Sequence, residues 1–230
     1  MIKFLTRIIF ITTFVAFILF YIQPLSVFYK DDLKRIQNKK AITFVTRIGP
    51  TTVYEIKNRK TGYHYTIMKR FAEEMDLDLK IIIADNMKSA VKMIEERDAD
   101  IMSGWGIDKD DKKLKYSYPY NRIDYTVVSK SSNLRRSNLS QFLKSNKVYT
   151  IQSDAVSSII KKSGENSEYS FMVSPDKNID ELLKMLNENE IKLLLINSDE
   201  FKILSKYYSN LKAVEKLAIN EPEAWALPSD

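Results

Sequence analysis

From residue 41 onward the chain alternates short aliphatic or β-branched runs with stretches whose apolar residues recur every three to four positions. Ala41–Thr46 is a β-branched run followed by Gly49-Pro50, which predicts a strand and then a turn. Ile67, Met68, Phe71, Ala72 and Met75 fall at helical spacing and predict a helix over 66–75. Leu79–Ile83 reads as a second strand, and Ala90, Val91 and Ile94 mark the apolar face of a helix over 87–96. Asp100-Ile101-Met102-Ser103-Gly104 ends a third strand at a glycine. A β-α-β-α-β order implies a parallel sheet with helices on its faces.

The same alternation resumes further on. Asp124–Lys130 and Val148–Ile151 read as strands, and Ser153-Asp154 as the N-cap of a helix over 155–162. Ile179–Leu186 is amphipathic, Ile191–Ile196 is a buried strand that runs into Asn197-Ser198-Asp199, and a last helix covers about residues 200–208. No internal repeat and no long linker separates the two units. The fold class is therefore α/β with two lobes, about 41–120 and 124–218. Open α/β sheets bind ligands beyond the carboxyl ends of their strands.

The first thirty residues follow another pattern. Residues 8–29 are 22 residues without a formal charge, preceded by Lys3 and Arg7. About 20 apolar helical residues span a bilayer core, so this run predicts an N-terminal transmembrane helix. A cleaved signal peptide is the alternative, although Gln23-Pro24-Leu25-Ser26 matches an A-x-A-like site badly. Residues 31–40 are polar and read as a tether. Lys30, Lys34, Arg35, Lys39 and Lys40 argue against exporting that side, but long following domains cross largely regardless of such charges.

Composition then removes whole classes. At 44% hydrophobic and 29% charged, the 230 residues are neither disordered nor low-complexity. Cysteine is absent and His64 is the one histidine, which excludes disulfides, thiolate metal sites and cysteine nucleophiles. The net charge of +6 falls to 33 bases against 30 acids beyond residue 30, with no basic stripe, so no nucleic-acid partner is expected. No nucleophile elbow, phosphate loop or metal spacing occurs, and Glu73-Glu74 and Glu95-Glu96 fall on helix flanks. The expectation is a non-catalytic protein without metal or cofactor.

Certain motifs resemble a known family. Thr46-Arg47-Ile48-Gly49-Pro50-Thr51-Thr52-Val53-Tyr54, then Thr61-Gly62-Tyr63-His64-Tyr65, are similar to the first lobe of type 2 periplasmic binding proteins, the family 3 solute-binding proteins. Arg97–Gly104 followed by Tyr116-Ser117-Tyr118-Pro119-Tyr120 resembles a further signature of that family, and Val148–Ser153 and Leu193–Ser198 correspond to second-lobe strand ends. The resemblance covers about residues 41–227. The opening and the late Glu221-Pro222-Glu223-Ala224-Trp225 are most similar to the binding-protein module of membrane-bound lytic murein transglycosylases of the F type. In that branch the module precedes a lysozyme-like catalytic domain. The sequence ends at Asp230, so the C-terminal return to the first lobe is expected to be cut short.

The resemblance implies a periplasmic or extracytoplasmic body, anchored at the membrane, that takes an amino acid or cell-wall peptide, with a permease or peptidoglycan enzyme as a possible partner. In the family an arginine after the Gly-containing strand grips the ligand's carboxylate; that slot falls at 110–112, where Lys112 or Lys113 offers a charge without the planar fork. The second-lobe acid of the family corresponds to Asn197. Thr52, Tyr54, Tyr63, Tyr65, Trp105 and Tyr120 are candidate cleft residues, since solute pockets are aromatic-lined with few polar groups. Half-buried packing explains the aromatics as well. Ser153 stands where helix N–H groups could hold an anion, or where it merely caps. His64 is expected to be a packing or surface residue rather than a ligand or base. Three readings follow: a membrane-anchored solute-binding or sensor domain, a transglycosylase-type module without its catalytic domain, and the binding component of an amino-acid transporter.

Overall fold

The computed structural model describes residues 32–106, 113–134, 139–163 and 169–229. The transmembrane run expected over 8–29 and the candidate Lys112 lie outside the described residues. Among the described residues no helix is long and apolar enough to cross a membrane. The segment expected as a tether is helical: α1 (Asp32–Lys39) has Asp32 in its first turn and Lys39 in its last, the charge order that the helix dipole favours.

The first lobe is built on β1 (Ala41–Thr46), all six positions of which are buried. Burial on both faces is what a parallel strand between helical layers requires. On one side it pairs in parallel with β4 (Asp78–Ile83), and on the other with β5 (Ile101–Met102), so that Phe44 lies opposite both Ile81 and Ile101. The crossovers run through α2 (Tyr63–Glu74) and α3 (Met87–Glu95), and the Asn86 side chain caps α3 by accepting from the Ser89 N–H. Beneath α3, Val45 packs with Ala90, Ile94, Met102 and Trp105. On the opposite face, Phe44 meets Phe71 and Trp225 edge-on, with ring centroids 6.5 and 5.3 Å away. A hairpin of β2 (Tyr54–Ile56) and β3 (Arg59–Thr61) leads into α2. Gly62 is required there: at φ 127, an added Cβ would collide with the Thr52 carbonyl oxygen.

The chain leaves this lobe after β6 (Leu114–Tyr116) and enters the second on β7 (Asn121–Lys130). It comes back along β11 (Leu211–Glu223) and closes as β12 (Ala226–Pro228). β12 lies antiparallel between β5 and β6, with Ala226 opposite Met102 and Tyr116. These residues bring the chain back into the first lobe's sheet. Two strand crossings join the lobes, and they are bonded to each other: the Ser117 N–H donates to the Trp225 carbonyl at 2.9 Å and the Tyr120 N–H to the Glu223 carbonyl at 3.0 Å.

The second sheet has the order β11-β7-β10-β8-β9, with β8 (Lys147–Ile151), β9 (Ser170–Ser174) and β10 (Leu193–Asn197) parallel, and β7 and β11 antiparallel. Strand alternation splits β10 between two cores. Leu193 and Leu195 face one side, with Val148, Val156 and Ile159; Leu194 and Ile196 face the other, with Leu182, Leu183 and Leu186. The first core is covered by α5 (Leu139–Ser145) and α6 (Asp154–Ser163), the second by α7 (Ile179–Glu188) and α8 (Ser198–Leu204); α4 (Ser131–Leu134) follows β7. A full capping box starts α7, where Asn178 and Glu181 satisfy each other's backbone N–H groups.

Candidate functional site

The carboxyl ends of the parallel strands of both lobes converge. Those of β1, β4 and β5 bring Arg47, Ile83 and Trp105; those of β8, β9 and β10 bring Gln152, Pro175 and Asn197. Two cavities open between the lobes. The larger, about 470 Å³, is lined by Ile48, Ile83, Asp85 and Trp105 from the first lobe and by Ile151, Asp176, Lys177, Asp180 and Glu181 from the second. The smaller, about 320 Å³, lies on the side of the crossings, between Tyr63, His64 and Thr51 on one side and Asn197, Asp199 and Ile203 on the other.

An ion pair stands where the lobes meet. Arg47, just beyond β1, donates from Nη2 to Glu200 Oε1 at 2.6 Å, and Glu200 sits in the first turn of α8. The Thr51 hydroxyl donates to the same oxygen at 3.0 Å, while Arg47 Nε donates to the Gly104 carbonyl at 2.9 Å. Burial on its own works against the Arg47 charge, but the Glu200 charge and hydrogen bond outweigh it and raise the guanidinium pKa. The void lined by both charges is about 10 Å³, room for one water at most, while Arg47 also borders the 470 Å³ chamber.

A second buried network holds the crossings. His64 Nε2 lies 3.1 Å from Glu223 Oε1, and His64 Nδ1 lies 2.9 Å from Ser103 Oγ. Asn121 Nδ2 donates to the other Glu223 oxygen at 3.1 Å. Burial alone would raise the Glu223 pKa; the hydrogen bond and charge of His64, with the Asn121 bond, reverse this and hold it below the usual carboxylate range. Tyr120 meets His64 edge-on and Trp225 at a tilt, and its phenol lies 3.3 Å from Ser103 Oγ. Burial and the Glu223 carboxylate push that phenol up, so it stays protonated. Tyr125 is pushed up as well, by burial and then by Glu200.

The sequence candidates take different places. Trp105 lines the 470 Å³ chamber but is 3% exposed and packs in the first lobe's core. Tyr63 is exposed and lines the 320 Å³ cavity. Asn197 lines that cavity too, while its side-chain oxygen caps α8 by accepting from the Asp199 N–H at 2.8 Å. Ser153 borders the void at the ion pair and caps α6, its hydroxyl accepting from the Val156 N–H at 3.1 Å. Thr52 is fully buried and donates to the Arg47 carbonyl at 2.7 Å, a bond that shapes the turn after β1. Tyr54 and Tyr65 are half-buried, on β2 and in the first turn of α2, and lie beside that turn rather than along the cavities.

Sequence reasoning missed Arg47, Glu200, Asp180 and Glu223. Arg47 and Glu200 are 153 positions apart, and in isolation Glu200 reads as an ordinary first-turn acid. Asp180 lies close enough to the pair that partial burial and the Glu200 charge raise its pKa. Among the described residues no group of three or more histidine, aspartate and glutamate side chains converges as a metal site.

Residues 42–209 match the family described as bacterial extracellular solute-binding proteins, family 3. The chain is 25% identical over 198 residues to the membrane-bound lytic murein transglycosylase F of Ectopseudomonas mendocina (strain ymp), covering 85% of this chain and 41% of that protein. The same protein of Pseudomonas putida (strain GB-1) is 23% identical over 201 residues, with 85% and 41% covered. The chain thus spans about two fifths of the length of these relatives. Among solved structures, an ancestral arginine-binding protein bound to arginine superposes with a TM-score of 0.71 at 17% identity, over 83% of this chain and 85% of that one. The GluR0 ligand-binding core with L-glutamate gives 0.67 at 12%, over 83% and 85%. An arginine third-transport-system periplasmic binding protein from Legionella pneumophila gives 0.68 at 15%, over 83% and 86%. With two α/β lobes, strand ends that face each other over a cleft, and a match that runs through both, the chain belongs to the bacterial extracellular solute-binding proteins of family 3.

Proposed function

We propose that this protein is a membrane-anchored, extracytoplasmic solute-binding or sensor domain that takes a small polar solute in the 470 Å³ chamber between its lobes. The observation that carries the reading is the chamber itself, whose walls come from both lobes and from the carboxyl ends of their parallel strands. Its volume suits an amino acid or a short cell-wall peptide. Ile48, Ile83, Ile151 and Trp105 offer apolar contact; Asp85, Asp176, Asp180 and Lys177 offer charge at its rim. Arginine and glutamate, bound by the superposed proteins, head the set of solutes to try. The chain carries out binding rather than bond cleavage.

A second reading follows from the relatives: the domain serves as the regulatory module of a transglycosylase F-type system and answers to cell-wall peptides. The match to those proteins through 85% of this chain favours it. A transporter's binding component is the third, which an adjacent permease would favour.

Thermal-shift measurements on the full chain, with L-arginine, L-glutamate and cell-wall peptides, test binding. A solute held by the native state raises the melting temperature in proportion to its saturation. Ile83→Asp, on the exposed chamber wall, reduces that shift while leaving the solute-free melting temperature near the original. Trp105→Ala serves poorly as such a probe: removing a 3% exposed indole from the first lobe's core costs about 3–5 kcal/mol by itself. No shift with any of these solutes at millimolar concentration would overturn the reading.

A further inference from the structure

We infer that the Arg47–Glu200 pair is a built-in latch: the protein itself supplies, one from each lobe, the opposite charges that close its cleft, so the lobes meet with no solute present. The inference rests on the two-lobed solute-binding reading above for its meaning. Closure can nevertheless be measured without any solute.

The pair has the features a latch needs. Its members stand on opposite lobes at 2.6 Å, and their side chains are only 15% and 2% exposed, so salt screens them weakly. Each is aimed before the lobes meet. Arg47 is tied to its own lobe through Nε and the Gly104 carbonyl, and the Asn197 cap sets the first turn of α8 from which Glu200 projects. Thr51 adds a hydroxyl from the Arg47 side. A buried pair repays its desolvation only with good geometry and such further hydrogen bonds.

The surfaces beside the pair are fitted for close approach. The Ala155 N–H, in the second lobe, donates to the Trp105 carbonyl of the first at 3.4 Å. A Cβ on Gly106 would lie 2.7 Å from the Ala155 Cβ, so this contact needs a glycine. The void that both charges line is about 10 Å³, so no solute fits between them, and the 470 Å³ chamber alongside is bordered by Arg47 but not by Glu200. When the lobes part, both charges return to water, which solvates them well. Closure is therefore an equilibrium that a modest change can shift.

The test is a distance measurement on the full chain, kept in detergent for its apolar N-terminal run. The sequence has no cysteine, so Lys92→Cys on α3 and Lys184→Cys on α7 accept spin labels at exposed positions, 69% and 71% accessible, in different lobes. Without solute, the labelled parent gives one narrow, short distance. Glu200→Arg sets two cations against each other and lengthens the mean by more than about 2 Å, the scale of hinge rearrangements. Glu200→Gln, nearly isosteric, broadens the distribution toward the longer distance. A parent that is already long or broad without solute overturns the latch. So does an unchanged distribution in Glu200→Arg or, where that variant fails the circular-dichroism check for folding, in Glu200→Gln. Failure of every solute in the thermal-shift series strikes the binding reading and leaves this measurement intact.

Discussion

The two buried charge networks use similar chemistry on different mechanical footings. His64–Glu223 lies at the strand crossings, where Glu223 is also held through its backbone carbonyl by Tyr120, so its members cannot separate while the fold persists. Arg47–Glu200 joins two lobes across the cleft, away from the crossings, so its members can part without unfolding. An unpaired buried charge at the crossings has no relief short of unfolding, whereas one at the cleft is relieved by opening and hydration. Equal burial thus costs stability in one place and changes shape in the other.

The largest expected effect breaks the first network. Glu223→Ala leaves His64 and Asn121 facing an empty carboxylate site and lowers unfolding stability by about 3–5 kcal/mol, measured by urea titration. Glu200→Ala strands Arg47 but allows the cleft to open, so the loss is smaller, about 1–3 kcal/mol, and a rise in the radius of gyration by solution scattering accompanies it. Equal losses in the two variants, with no change of shape in either, would erase the distinction.

Acid sharpens the same comparison. Glu223 has a lowered native pKa, so its contribution is complete above the ordinary glutamate range and is lost as pH falls through the native value. The melting temperature of the parent therefore drops more steeply below about pH 4.5 than that of Glu223→Gln, which lacks the titrating group. Asp180 acts in the opposite sense, since partial burial and Glu200 raise its pKa: what it contributes is present at low pH and lost as pH rises through its native value. The smallest effect comes from Thr51→Val, which removes the hydroxyl from Glu200 and costs about 0.5–1.5 kcal/mol in the same titration.

Much of this frame is legible in the chain. The β-branched run of β1, the helical spacing in α2 and α3, and the leucine-rich β10 each carry their burial pattern locally. The β2–β3 hairpin is not announced, because its turn uses Lys57 and Asn58 at φ 49 and 62 in place of a glycine. β11 escapes as well: it is an edge strand rich in Lys and Glu, carries Pro222, and shifts register three times against β7. Residue type alone does not divide a chamber wall such as Trp105 from a turn neighbour such as Tyr65. The decisive pairs, Arg47 with Glu200 and His64 with Glu223, exist only once strands far apart in sequence bring their ends together.

The most direct test of solute capture between the lobes is amide hydrogen exchange on the full chain, with and without saturating L-arginine, L-glutamate or a cell-wall peptide. The account predicts that a bound solute slows exchange together in residues 83–87 and 175–181, the two facing walls of the chamber. Slowing confined to one wall, or to neither, with a solute that raises the melting temperature would contradict it.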